Sequence, residues 1–278
     1  MTTDEVARVA SISDRIERLR AATEGVSAAQ RTMTELARLR RGLVQEMHDE
    51  GWTFAEIAEA AGLSRGRVHQ VRHQGPAPEG AFFGRGPLRI LTPLKREEKR
   101  ARPVVAAEDV AASQRLGELV RSLGFDVEYE QIPLSGTIDL NRDGLVIICG
   151  PRISRDVAGV LDTDPVLRFK KLRSGWALDD RTTSETYKSG PDDNGRPYDV
   201  AYLGRLPRPD GNGMLIVFTG IHPPGSLGVV HLLTTQLAEL HRAARKGPFS
   251  VLVDVEYDED THEPTKVQPI TPVHRHGS

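Results

Sequence analysis

The chain has 278 residues, 37 Lys and Arg against 39 Asp and Glu, a formal net charge of −2, one cysteine and 38% hydrophobic residues. That length holds one large domain or two ordinary ones, and the lone Cys149 excludes a disulfide scaffold and any multi-cysteine metal site. No apolar run approaches the roughly 20 residues that span a bilayer, and residues 1–20 carry no apolar core of a secretory signal, so a cytoplasmic protein without membrane association is expected.

Near-neutral charge excludes a uniformly basic binder of nucleic acid but leaves room for a local basic face. In chain order, Val6, Val9, Ile12, Ile16 and Leu19 recur at helical steps, and Gly25 is expected to break that helix. Ser27 with Gln30 reads as a capping box for a second helix, which carries Met33, Leu36, Leu39 (or Ala37), Leu43 and Met47 inward and ends at Gly51. Two such helices form an antiparallel hairpin or pack against another copy of the chain.

The next segment, GWTFAEIAEAAGLSRGRVHQVRHQ, carries the most specific pattern. Thr53 and Glu56 make a capping box before a two-turn helix, Gly62 sits where the chain must turn sharply, and Ser64 caps a second helix. Ile57, Ala58, Leu63, Val68 and Val71 are the positions that two crossing helices bury. The small Ala58, the turn glycine four residues on and Val68 six beyond it resemble the bacterial helix-turn-helix family, in the style of phage repressors and sigma-factor region-four domains. The resemblance implies that the second helix enters the major groove of double-stranded DNA. It would bring Ser64, Arg65, His69, Gln70 and His73 near base edges, with Arg67 and Arg72 nearer phosphates and Thr53 also counted among the DNA-binding residues. One such unit offers few cationic contacts, so a homodimer reading two half-sites is expected.

GPAPEGAFFGRGP follows, and its prolines and glycines read as a linker. The expected division is a helical domain over 1–75 with the helix-turn-helix at 52–74, a linker over 76–86, and an α/β domain over 87–278. In the last, LRILTP, DVEYEQI, LVIICG and MLIVFTG read as strands, with helices over AAEDVAASQRLGELVRSLGF and from Ser226 to Arg245. FSVLVDVEYD and KVQPITPV close it as a hairpin, whereas residues 167–205 read as irregular strands and polar loops. Apolar strands alternating with helices predict an α/β layered sheet.

In open α/β sheets, ligands bind beyond the carboxyl ends of the strands, where glycine loops and helix N-termini favour anions. Three such ends supply candidates: Thr92 before a basic run at Lys95, Arg96, Lys99, Arg100 and Arg102; Gly150, Arg152 and Ser154; and Gly220, His222, Gly225 and Ser226. Neither GxGxxG nor GxxxxGK[ST] occurs. The order of LRILTP, LGFDVEYE and LVIICGPR resembles Rossmann-like nucleotide-processing or nucleotide-sensing domains such as nucleoside deoxyribosyltransferases and TIR-type folds. Glu108 and Glu128 stand in no catalytic motif of such domains. Asp192, Asp193, Asp199 and Asp210 read as turn residues, and His262, His274 and His276 are too irregularly spaced for a metal site. These features together predict a DNA-binding regulator whose α/β domain senses a small anionic, nucleotide-like effector, with no catalytic residue, cofactor or metal assigned. The alternative is a nucleotide- or nucleoside-processing enzyme, a hydrolase or glycosyl transferase, with an accessory DNA-binding domain.

Overall fold

The computed structural model describes residues 3–97 and 102–277, so Lys99 and Arg100 of the basic run lie outside the described residues. The chain divides into two compact units, Met1–Ala81 and Phe82–Ser278.

The first unit is all helical: α1 (Thr3–Ala10), α2 (Arg15–Asp49), α3 (Phe54–Ala60) and α4 (Arg65–Gln74). The chain breaks earlier than Gly25. The Asp14 carboxylate accepts from the amides of Ile16 (2.9 Å) and Glu17 (2.8 Å), which caps α2 and makes Ser11–Asp14 the turn. Gly25, Ser27 and Gln30 instead lie inside a continuous 35-residue helix. A single glycine costs about 1 kcal/mol against alanine, too little to stop a helix with Ala21, Ala22, Ala28 and Ala29 around it. Of the two arrangements expected, the antiparallel hairpin of two long helices does not form among the described residues. Val44 and Met47 pack with Ile57, Ala58, Val68 and Val71. Met33, Leu36, Leu39 and Leu43, expected inward, face outward instead.

In the second unit the elements are β1 (Leu88–Pro93), β2 (Lys95–Arg96), β3 (Pro103–Val104), α5 (Ala107–Ser122), β4 (Val127–Ile132), β5 (Leu145–Ile148) and α6 (Arg155–Leu161). There follow β6 (Leu167–Lys171), β7 (Trp176–Asp180), β8 (Glu185–Lys188), α7 (Gly190–Asp193), β9 (Tyr198–Pro207) and β10 (Met214–Gly220). The last elements are α8 (Pro223–Ala244), β11 (Phe249–Tyr257), β12 (Pro264–Pro269) and β13 (His274–Arg275). The main sheet runs β12-β11-β9-β10-β5-β1-β4, with β13 also on β11. Its β10-β5-β1-β4 half is parallel, and β9 opens an antiparallel half by pairing with both β10 and β11. In register, Ile90, Val146 and Ile216 form one row across the parallel strands.

Helices α5 and α8 pack on each other and on the sheet. The opposite face, which presents Leu91, Ile147, Val217, Tyr202 and Leu252, packs with Val157 and Val160 of α6 and with Leu167 and Leu178 of a small β6-β7-β8 sheet. Residues 167–205 thus contain an ordered three-stranded layer and most of a central strand. Apart from its two ends β9 is buried throughout, Asp199 and Arg205 included, which places Asp199 in the core and not in a turn.

Candidate nucleic-acid interface and sheet-edge cleft

Helix α4 is held from three sides. The Thr53 hydroxyl and amide both engage Glu56 Oε2 (2.7 and 2.8 Å) in a capping box that starts α3, and these hydrogen bonds hold the Glu56 carboxyl below its usual range. Gly62 turns the chain at φ +64°, and the Ser64 hydroxyl accepts from the Arg67 amide (3.2 Å). Val68 and Val71 are then fully enclosed against α2 and α3.

The outward face of α4 presents Ser64, Arg65, Arg67, His69, Gln70, His73 and Gln74, all exposed, and the helix contains no acidic residue. Arg67 donates to Gln70 Oε1 (2.5 Å) and Gln70 donates to Gln74 Oε1 (2.9 Å), so these side chains already lie along the helix surface. Gln74 was not among the sequence candidates, although its four-residue step from Gln70 places it on the same face. Arg72 behaves differently from its expected phosphate role. It is half-buried, donates Nε to Gln45 Oε1 of α2 (3.1 Å) and lies 5.2 Å from the centroid of the Phe54 ring. That cation–π contact makes it a brace between helices. Phe54 also stacks on His48 and meets the edge of His69, which fixes the His69 ring beside His73.

In the second unit a cleft opens where β1, β5 and β10 end. Gly150, Arg152, Gly220, His222 and Ser226 line it, together with Lys95, Asp109, Cys149, Phe169, Trp176 and Thr219. Thr92, Ser154 and Gly225 do not. Thr92 is buried, and Ser154 caps α6 through the Val157 amide (3.2 Å) while donating to the Gly136 carbonyl (2.5 Å).

The amino end of α8 is already occupied by the protein's own carboxylate. Asp199 Oδ2 accepts from the amides of His222 (2.9 Å) and Gly225 (3.0 Å), and Pro223 and Pro224 have no amide hydrogen to offer. A Cβ at Gly220 or Gly225 would collide with that same oxygen, so both glycines make room for Asp199. Complete burial pushes the Asp199 carboxyl up to about 8 against the pull of its amide donors. His222 is held by Asp192 through Nε2 (2.9 Å).

Lys95 and Asp109, two further charged groups of the cleft, pair with each other. Lys95 lies 2.8 Å from Asp109, whose carboxyl burial raises and Lys95 partly lowers again. Burial and the nearby Asp109 push the Cys149 thiol up to about 12, so it stays protonated and unreactive. Asp109 escaped the sequence reading because an acid in the first turn of a helix has an ordinary electrostatic explanation. Neither glutamate considered there lines the cleft: Glu108 binds His262 Nδ1 (2.6 Å) and Glu128 pairs with Arg89 (3.0 Å). His276 hydrogen-bonds Ser250 (2.8 Å) close to Asp164, in a buried network of its own.

Residues 33–75 match the sigma-70 region 4 family. The matched segment covers the second half of α2 and all of α3 and α4, so the first unit carries a helix-turn-helix DNA-binding region, and a mixed α/β domain with parallel strands follows it. No curated protein and no solved structure matches the chain. Among the described residues no helix is long and apolar enough to cross a membrane.

Proposed function

We propose that the protein is a sequence-specific transcription regulator that binds double-stranded DNA as a homodimer in the cytoplasm, and whose Rossmann-like second unit senses a small anionic, nucleotide-like ligand. The observation that carries the DNA reading is the acid-free outward face of α4, where Arg65, Arg67 and Gln70 stand exposed over a closed apolar stripe. Arginine can read guanine and glutamine adenine by paired hydrogen bonds in the major groove. Base reading falls to Ser64, Arg65, His69, Gln70 and His73, and with Arg72 braced against Phe54 the backbone side is left to Thr53 and Arg67.

The sensing reading is supported by the cleft at the ends of the parallel strands. Because the α8 amides are taken by Asp199, an anion entering there meets Lys95 and Arg152 instead. To bind Lys95 it must compete with Asp109, and the loss of Lys95 raises the buried Asp109 carboxyl further. Ligand would act on DNA binding to the extent that it favours one arrangement of the chain over another.

The test is an electrophoretic shift assay on operator DNA selected in vitro. Arg65→Ala combined with Gln70→Ala is expected to lose at least tenfold in selective affinity, at about 1–3 kcal/mol per base-reading pair, with an unchanged circular dichroism spectrum. Undiminished selectivity would remove α4 as the reading element. Native mass spectrometry of the purified chain reports any bound small molecule in the same preparation. One observation favours a second reading, a nucleotide-processing enzyme: Asp109 is a buried carboxyl inside the cleft. Turnover of a retained nucleotide would support the enzyme, and saturable binding without turnover the sensor.

A further inference from the structure

Seven large apolar side chains of α2, from Ile16 to Leu43, are 48–70% exposed. Uncovered apolar surface of several hundred Å² on one helix marks a protein interaction face. The pattern along it is regular. Leu19, Val26 and Met33 recur every seven residues, a series that Arg40 continues. Ala22, Ala29, Leu36 and Leu43 follow the same step three residues further on. These are the two seam positions of a two-stranded coiled coil.

We infer that this face pairs with α2 of a second copy of the chain in antiparallel orientation, about a two-fold axis near residue 31. The inference rests on the homodimer reading above and assigns its surface and direction. Charge and volume choose the direction. In a parallel pair each seam residue meets its own copy, so Arg40 faces the partner's Arg40 and Ala22 the partner's Ala22, which combines a repulsion with a gap. In the antiparallel pair Leu19 meets the partner's Leu43 and Val26 meets the partner's Leu36. The long Met33 and Arg40 then fall opposite the small Ala29 and Ala22 of the other helix. Beside the seam, Arg18 comes opposite the partner's Glu46, an attractive pair between exposed residues.

This arrangement also sets the spacing of the DNA-reading elements. Helix α4 is anchored to α2 through Val44 and Gln45. At about 1.5 Å per residue, those anchors lie roughly 20 Å from the two-fold axis, so the two anchor points sit about 40 Å apart along the coil. Successive half-sites on one face of a duplex are about 34–36 Å apart. A parallel pair would put both anchors at the same end.

The full-length protein provides the test, and its single native cysteine is buried. The wild type is expected to sediment as a dimer at micromolar concentration. Met33→Glu with Leu36→Glu, both at exposed positions, should convert it to a monomer without loss of helical signal. Leu19→Cys and Leu43→Cys proteins, mixed in reductant and then oxidised, should form the mixed disulfide in large excess over either symmetric one. An efficient symmetric disulfide at Leu43→Cys alone would overturn the antiparallel direction while leaving the dimer intact. A monomeric wild type would overturn both the surface and the dimer reading, and the α4 shift assay would still judge DNA recognition separately.

Discussion

The outward face of α4 and the cleft at the end of the parallel strands use their polar groups in opposite ways. On α4 the arginines and amides link to each other along the helix or point to solvent, so a polyanion can meet them without displacing an acid. In the cleft Lys95 is matched by Asp109, His222 by Asp192, and the α8 amides by Asp199. The difference separates a surface whose polar groups face solvent from a cleft in which a ligand must compete with internal partners for every polar group named except Arg152. Glycines at strand ends look the same in both circumstances, and only the location of the nearest carboxylate distinguishes them.

The largest effect is expected beneath α4. Val68→Asp buries a charge at a position with 0% exposure, and an unpaired buried charge of this kind costs roughly 4 kcal/mol. The first unit should unfold and DNA binding vanish, while hydrogen exchange in the β5 and β10 amides of the second unit stays slow. A smaller effect, about 3 kcal/mol from overpacking, is expected for Gly225→Ala, whose new methyl group meets Asp199 Oδ2. This loss should appear as a lowered denaturant midpoint for the second unit whether or not any ligand is added. If ligand affinity fell instead with stability intact, the glycine would be there for the ligand after all.

Burial alone would raise the Asp164 carboxyl, but hydrogen bonds from His276, Ser250 and the amides of Leu167 and Val166 hold it at about 2, against an ordinary 3.8. A depressed carboxyl contributes stability that is fully present above its unfolded value and is lost as pH falls from about 4 through 2. The contribution is about 2 kcal/mol at neutral pH. Asp164→Asn should remove it, lowering stability at pH 7 and flattening the acid limb between pH 4 and 2. An acid limb unchanged in the variant would show that the network around Tyr202 and His276 carries no such linkage.

The helix-turn-helix was legible because its constraints are local. A cap at Thr53, a left-handed glycine at 62 and a cap at Ser64 each act within a few residues, and the apolar step between them fixes the crossing. The continuity of α2 was not legible at Gly25, since the cost of one glycine is outweighed by the helix around it. Nor could the sequence reveal that its apolar stripe stays uncovered within one chain. Strand β9 read only as part of an irregular stretch, for another reason. Asp199, Gly204 and Arg205 look like loop residues until their partners are known. Asp199 is satisfied by amides 23 and 26 residues away, and Arg205 by the Gly247 carbonyl 42 residues away. The cleft was half legible. The strand ends gave Gly150, Gly220 and His222, but Trp176 and Phe169 arrive from a separate sheet whose position depends on packing across the core.

By seating the Asp199 carboxyl under the first turn of α8, the sheet provides that helix with an internal hydrogen-bond acceptor. The fold thereby contains the outline of a socket for a small carboxylic acid, filled from within. Shortening this one side chain would empty the socket, and formate or acetate could then complement the truncated chain from solution, an external anion doing the work of a missing functional group.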